Sequence, residues 1–104
     1  MDVPLKYIKT KLEDYYVLHV KGESMIEAGI PDDSRVLIRR SNVPKNGVIQ
    51  VVRHEGTSTL KRLVEHEDHR WTIQYEDGSG NRIEVKPGDE FYVQGDFVRV
   101  LEEG

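Results

Sequence analysis

Arg70-Trp71-Thr72-Ile73-Gln74-Tyr75, then Asp77-Gly78-Ser79-Gly80-Asn81, then Arg82-Ile83-Glu84-Val85 carries the clearest local pattern in the chain. Two short arms rich in β-branched and aromatic residues flank a run of turn formers, the pattern of a hairpin in which glycine supplies the positive φ of the loop. The arms are expected to pair antiparallel. On either side of it, Gly and Pro recur at Gly22, Gly29 to Pro31, Pro44 to Gly47, Gly56 and Pro87-Gly88. This punctuation cuts out five more strand candidates: Tyr15–Val20, Arg35–Arg39, Val48–Arg53, Thr57–Val64 and Phe91–Leu101. No candidate keeps a helical period over its length. The last one alternates Phe91, Val93, Gly95 and Phe97 and then changes phase to Val98, Val100 and Leu101, which predicts a bulge near Gly95-Asp96. The expected architecture is mostly β: a twisted, partly closed barrel of antiparallel sheets with at most one short helical turn, after Ser24. Residues 1–14 mix charge with Val3, Leu5, Tyr7 and Ile8. They read as an N-terminal segment or remnant of a linker, an edge strand or a piece docked on the body formed by residues 15–104.

A chain of 104 residues has room for a single domain with one modest core. With 37% hydrophobic and 33% charged residues it has the composition of a soluble globular protein. The longest uncharged apolar runs, such as Tyr15-Tyr16-Val17-Leu18, fall far short of the roughly 20 residues a membrane helix needs, and the N-terminus has no apolar signal core. No membrane association is expected. The absence of cysteine removes disulfide scaffolds, thiolate zinc sites and thiol nucleophiles, and suits a cytoplasmic location. Fifteen Lys+Arg against nineteen Asp+Glu give a net charge of -4. That is the wrong sign for holding nucleic acid by phosphate neutralisation, so DNA would have to be bound by another module.

His66-Glu67-Asp68-His69 places two histidines three apart in a polar turn without a third ligand at metal spacing. No metal site and no cofactor are expected. Asp32-Asp33-Ser34 beside Pro31 reads as turn chemistry, and the charge runs at Arg39-Arg40 and Glu65 to Arg70 as solvated turns. There is no phosphate-binding glycine loop and no glycine-flanked hydrolase serine. Two pieces remain, Gly22-Glu23-Ser24-Met25 and Thr59-Leu60-Lys61-Arg62-Leu63. Each has a purely structural reading: Ser24-Met25-Ile26-Glu27 fits the capping box of a helix start, and Lys61 fits a strand lysine that carries its charge into water along an apolar stem.

Taken together and in order, these pieces resemble the LexA-like family of self-cleaving serine peptidase domains, which includes LexA repressors, phage repressors and the UmuD mutagenesis proteins. The resemblance runs from Tyr15 to Glu102. Val20-Lys21-Gly22-Glu23-Ser24-Met25 looks like the family's nucleophile motif, Gly29-Ile30-Pro31-Asp32 like its next turn, and Asn46 to Val52 like its glycine-led strand. Thr59 to Leu63 looks like the strand bearing its catalytic lysine, and the separation of 37 residues between Ser24 and Lys61 is typical of it. The resemblance implies Ser24 as nucleophile, Lys61 as general base, and the backbone N–H groups of Glu23 and Ser24 as oxyanion hole. It further implies a homodimer formed through the C-terminal strand, the RecA filament as a partner that triggers cleavage, and DNA contact only through a separate N-terminal domain. The function implied is the Ser/Lys autopeptidase and dimerisation domain of a LexA-like transcriptional repressor. The alternative is a non-catalytic dimerisation module with a remnant dyad. A type I signal peptidase shares a Ser-Met and lysine arrangement but needs a membrane anchor and usually a proline soon after the methionine.

The chain departs from the family in two places. Asp32-Asp33-Ser34 stands where members often carry Asp-Gly-Asp. Residues 1–23 contain no Ala-Gly or Cys-Gly bond of the kind members cleave, and the one Ala-Gly, Ala28-Gly29, follows Ser24 in a segment aligned with the body of the domain.

The chemistry sets its own condition. A serine hydroxyl attacks only when a base takes its proton, and a lysine does so only when neutral. With an unperturbed pKa near 10.4, about one lysine in 2,500 is neutral at pH 7. Lys61 must therefore be buried, and Leu60, Leu63 and Met25 are the apolar neighbours expected to bury it.

Overall fold

The computed structural model describes residues 14–102. The expected N-terminal segment, Asp14 apart, lies outside them. Seven strands form: β1 Tyr15–His19, β2 Arg35–Arg40, β3 Ile49–His54, β4 Thr57–Glu65, β5 Trp71–Gln74, β6 Arg82–Glu84 and β7 Phe91–Glu102. A 3-10 turn, Ile26–Ala28, follows Ser24. Each strand agrees with its sequence-based expectation to within one residue at either end. The hairpin arms pair as β5 and β6, antiparallel, with Ile73 opposite Ile83.

All seven strands join one antiparallel sheet in the order β1-β2-β7-β3-β4-β5-β6. Its edges, β1 and β6, do not pair with each other. The sheet curls, and the connection between β1 and β2 reaches the segment after β5. There Glu76 N donates to Ser24 O at 2.7 Å, and Glu27 N donates to Glu76 O at 2.8 Å. Two main-chain bonds thus stand where a further strand pairing would close a barrel.

In β3, Ile49, Gln50, Val51 and Val52 are all buried, because this strand lies in the sheet interior with both faces covered. Ile49 and Val51 enter one cluster, with Met25, Ile30, Val36, Ile38 and Leu60; Val52 enters a second, with Leu63, Ile73 and Val93. Gln50 is buried because its amide is satisfied: Nε2 donates to Asp96 Oδ1 at 2.7 Å and to Val43 O at 3.0 Å, and Oε1 accepts from Lys45 N at 3.0 Å. Lys45 Nζ closes the network on Asp96 Oδ2.

β7 pairs with β3 through its first half and with β2 through its second. The expected bulge lies at Gln94, the residue before Gly95, and the register shifts again at Val98 and at Leu101. The expectation that Val98 and Leu101 join the inward apolar pattern is overturned. As bulged residues they turn outward, 43% and 41% exposed, while Phe97 and Val100 pack against the first cluster. Arg39-Arg40 is also not a turn. Both arginines end β2, solvated as expected, with the Arg40 guanidinium 4.8 Å above the Tyr16 ring.

Candidate active site

Ser24 sits in a loop whose shape is set by its neighbours. Gly22 adopts φ 91, open to a residue without Cβ, and its N–H donates to Asp32 Oδ1 at 2.7 Å. Met25 is driven into the first core cluster, 1% exposed, which anchors the loop one residue beyond the serine. Asp32-Asp33-Ser34 is the turn that braces this loop. Asp33 takes φ 66, the left-handed conformation for which a glycine at this place in the family is suited, and its carboxylate meets Lys21 Nζ at 2.8 Å and His19 Nε2 at 2.5 Å. These contacts, Lys21 first, hold that carboxyl below the usual range.

The capping-box reading of Ser24 does not hold. The 3-10 turn has Met25 as its N-cap and no side-chain cap bond. The Ser24 hydroxyl is thereby left for the cavity beside it, about 210 Å³ in volume, which Lys61 also lines. Among the described residues the N–H groups of Glu23 and Ser24 donate to no partner, whereas their carbonyls accept from Ile26 N and Glu76 N.

Lys61 is 6% exposed, so the reading of a solvent-reaching strand lysine also fails. Burial pushes its amine below the usual lysine range, while the Asp77 carboxylate works in the opposite direction. Leu18, Val20, Val51 and Leu60 form the apolar part of the cavity wall. Of the expected neighbours, Leu60 is among them, whereas Met25 packs in the first core cluster and Leu63 in the second. Nζ donates to Thr59 Oγ1 at 2.5 Å and to Leu60 O at 3.2 Å, and lies 4.8 Å from the centre of the Tyr75 ring. Its hydrogen bonds therefore go to Thr59 and Leu60 rather than to Ser24.

Tyr75 escaped the sequence reading because only strand register reveals it, and Asp77 because it read as a plain turn former. Arg62 pairs with Gln74, which carries Tyr75 level with Lys61. The histidines of the polar turn face different partners, His66 Nε2 meeting Thr72 Oγ1 at 2.5 Å and His69 Nδ1 meeting Glu65 at 3.4 Å.

Ser24 and the buried Lys61 thus line one cavity of an open antiparallel β domain. The chain belongs to the Peptidase S24-like family, which it matches over residues 1–98. It is similar to the LexA repressor of Streptomyces coelicolor, 36% identical over 88 residues that cover 85% of this chain and 36% of that protein. It is also similar to the LexA repressors of Caldicellulosiruptor saccharolyticus and Clostridium kluyveri, 40% and 45% identical over 67 residues, 64% of this chain and 33% of each relative. The chain thus spans about a third of the length of these relatives. Among the described residues no helix is long and apolar enough to cross a membrane.

Proposed function

We propose that this chain is the self-cleaving peptidase and dimerisation portion of a LexA-like transcriptional repressor, working in the cytoplasm. The observation that carries the reading is the meeting of Ser24 and the dehydrated amine of Lys61 on one cavity. In the reaction, neutral Lys61 takes the proton from Ser24 Oγ as the oxygen attacks a peptide carbonyl carbon. The N–H groups of Glu23 and Ser24 receive the oxyanion. The Lys61 ammonium then returns the proton to the departing amine, leaving an acyl ester on Ser24 that water, deprotonated by the same lysine, hydrolyses. DNA contact falls to a separate domain, and the RecA filament is the inducing partner that the family resemblance implies.

The test is cleavage in trans of a peptide carrying an Ala-Gly bond. The wild-type chain should cleave slowly, with a rate that rises with pH through the Lys61 titration, and Ser24→Ala and Lys61→Ala should each abolish it while circular dichroism stays native. Cleavage persisting in both variants, or a flat profile from pH 6 to 10, overturns the dyad.

A second reading is favoured by the lysine's hydrogen bonds to Thr59 and Leu60: a non-catalytic dimerisation module that retains the pair as a remnant. It predicts no cleavage at any pH.

A further inference from the structure

The segment Tyr75-Glu76-Asp77 leaves the end of β5 and reaches both members of the pair. Glu76 makes two main-chain bonds with the Ser24 loop, and its carboxylate holds Arg62, the residue after Lys61, through Nη2 at 3.0 Å and through Nε. Tyr75 places its ring against the Lys61 amine, and the Asp77 carboxylate is fixed by the Ser79 N–H at 3.0 Å and the Ser79 hydroxyl at 2.5 Å. A ring face and a carboxylate both favour a cation over a neutral amine.

We propose that Tyr75 is a positioning residue whose ring face holds Lys61 as its ammonium and so sets the pH at which the amine becomes free to accept a proton. The clamp opposes the cavity wall. Leu18, Val51 and Leu60 dehydrate the amine and drive it towards neutrality, and the Tyr75 ring holds the charge on, with the Asp77 carboxylate working in the same direction. The other charged groups near the amine are accounted for: His19 and Lys21 line the cavity but meet Asp33, and Arg62 is paired with Glu76. The catalytic consequence rests on the Ser24 and Lys61 reading above; the clamp itself does not.

The two are separated by titrating the Lys61 amine directly, by NMR of the lysine-labelled chain, with the signal assigned by its loss in Lys61→Arg. Tyr75→Leu keeps an apolar wall and removes the ring face, Tyr75→Phe keeps both, and Asp77→Asn keeps an oxygen for Ser79 without the charge. Tyr75→Leu and Asp77→Asn should lower the Lys61 midpoint by about 0.5 to 1 pH unit, with Tyr75→Phe at the wild-type value. The acid limb of peptide cleavage should move down by the same amount, making cleavage at pH 7 about three- to tenfold faster. A Tyr75→Leu midpoint that coincides with wild type overturns the clamp. Should Tyr75→Leu fail to fold, Tyr75→Met, which also removes the ring face, decides in its place. A shifted midpoint in a chain that cleaves no peptide upholds the clamp and overturns the peptidase reading.

Discussion

A lysine drawn out of water weakens a fold for as long as it stays charged, so Lys61 ties stability to pH as well as to reactivity. Its folded pKa lies below its unfolded value near 10.4, with burial as the first cause. Below both values each state binds the proton and the penalty is constant. Between them the unfolded chain binds more protons, so stability must rise with pH from the folded pKa up to about 10.4 and level off above it. Lys61→Met keeps the stem and deletes the charge. We expect its urea midpoint at pH 7 to exceed that of wild type, and the wild-type rise at alkaline pH to shrink in the variant. Denaturation series at pH 7 and pH 9.5 read both effects, and parallel pH dependence in the two proteins would refute the argument. The family resemblance, carried by an ordered set of motifs, pointed to Ser24 and Lys61, and both line one cavity. Whether Ser24 caps a helix and whether Lys61 reaches solvent were not legible in the sequence, because each is decided by what packs on it: Met25 sinks into the core, and β1 and β3 cover the lysine.

The strands were legible almost to the residue because Gly and Pro cut the chain where β-branched runs end. The consequence of bulging was not. Period-2 alternation carries no information about a residue that leaves the ladder, so Val98 and Leu101 read as core although the shifts in β7 turn them out. Those shifts let one strand serve two partners, and they depend on Gly95 where β7 passes from β3 to β2. A Cβ at that position would lie 2.3 Å from Ile38 Cγ2 and 2.9 Å from Arg39 O. Ile38 is fully buried and cannot move aside without disturbing the first cluster. Gly95→Ala should therefore cost about 1 to 3 kcal/mol, the usual range for overpacking a filled core. Gly56→Ala is the control for adding the same methyl at a position with open space, though its φ of 83 carries a backbone cost of its own. Thermal melts of both variants check the point. A Gly95→Ala protein as stable as wild type would show that β7 can slide.

At the scale of the molecule, a sheet with open edges has to leave main-chain groups unpaired somewhere, and β7 leaves them where its apolar side chains also surface. Along residues 97–102 it bonds to β2 on one side, and among the described residues no strand of this chain takes the other. Val98 and Leu101 stand out along that half, and Tyr92 is exposed on the first. Edges of this kind invite a second strand. The dimer proposed above would place a second copy there, with β7 pairing antiparallel with itself across a two-fold axis, as the family resemblance implies. In such an isologous contact each substitution acts twice. Val98→Glu would remove about 1.5 kcal/mol or more of apolar burial from each copy and set two carboxylates near the axis of a chain that already carries net charge -4. The dimer should weaken at least a hundredfold, read as the shift of the monomer–dimer midpoint in sedimentation equilibrium. Val17→Glu supplies the comparison, since Val17 is 54% exposed on the opposite edge strand and the same charge there should leave association unchanged. Equal weakening by both variants would place the contact elsewhere, and a wild-type chain that stays monomeric at millimolar concentration would remove β7 self-pairing as the basis of assembly.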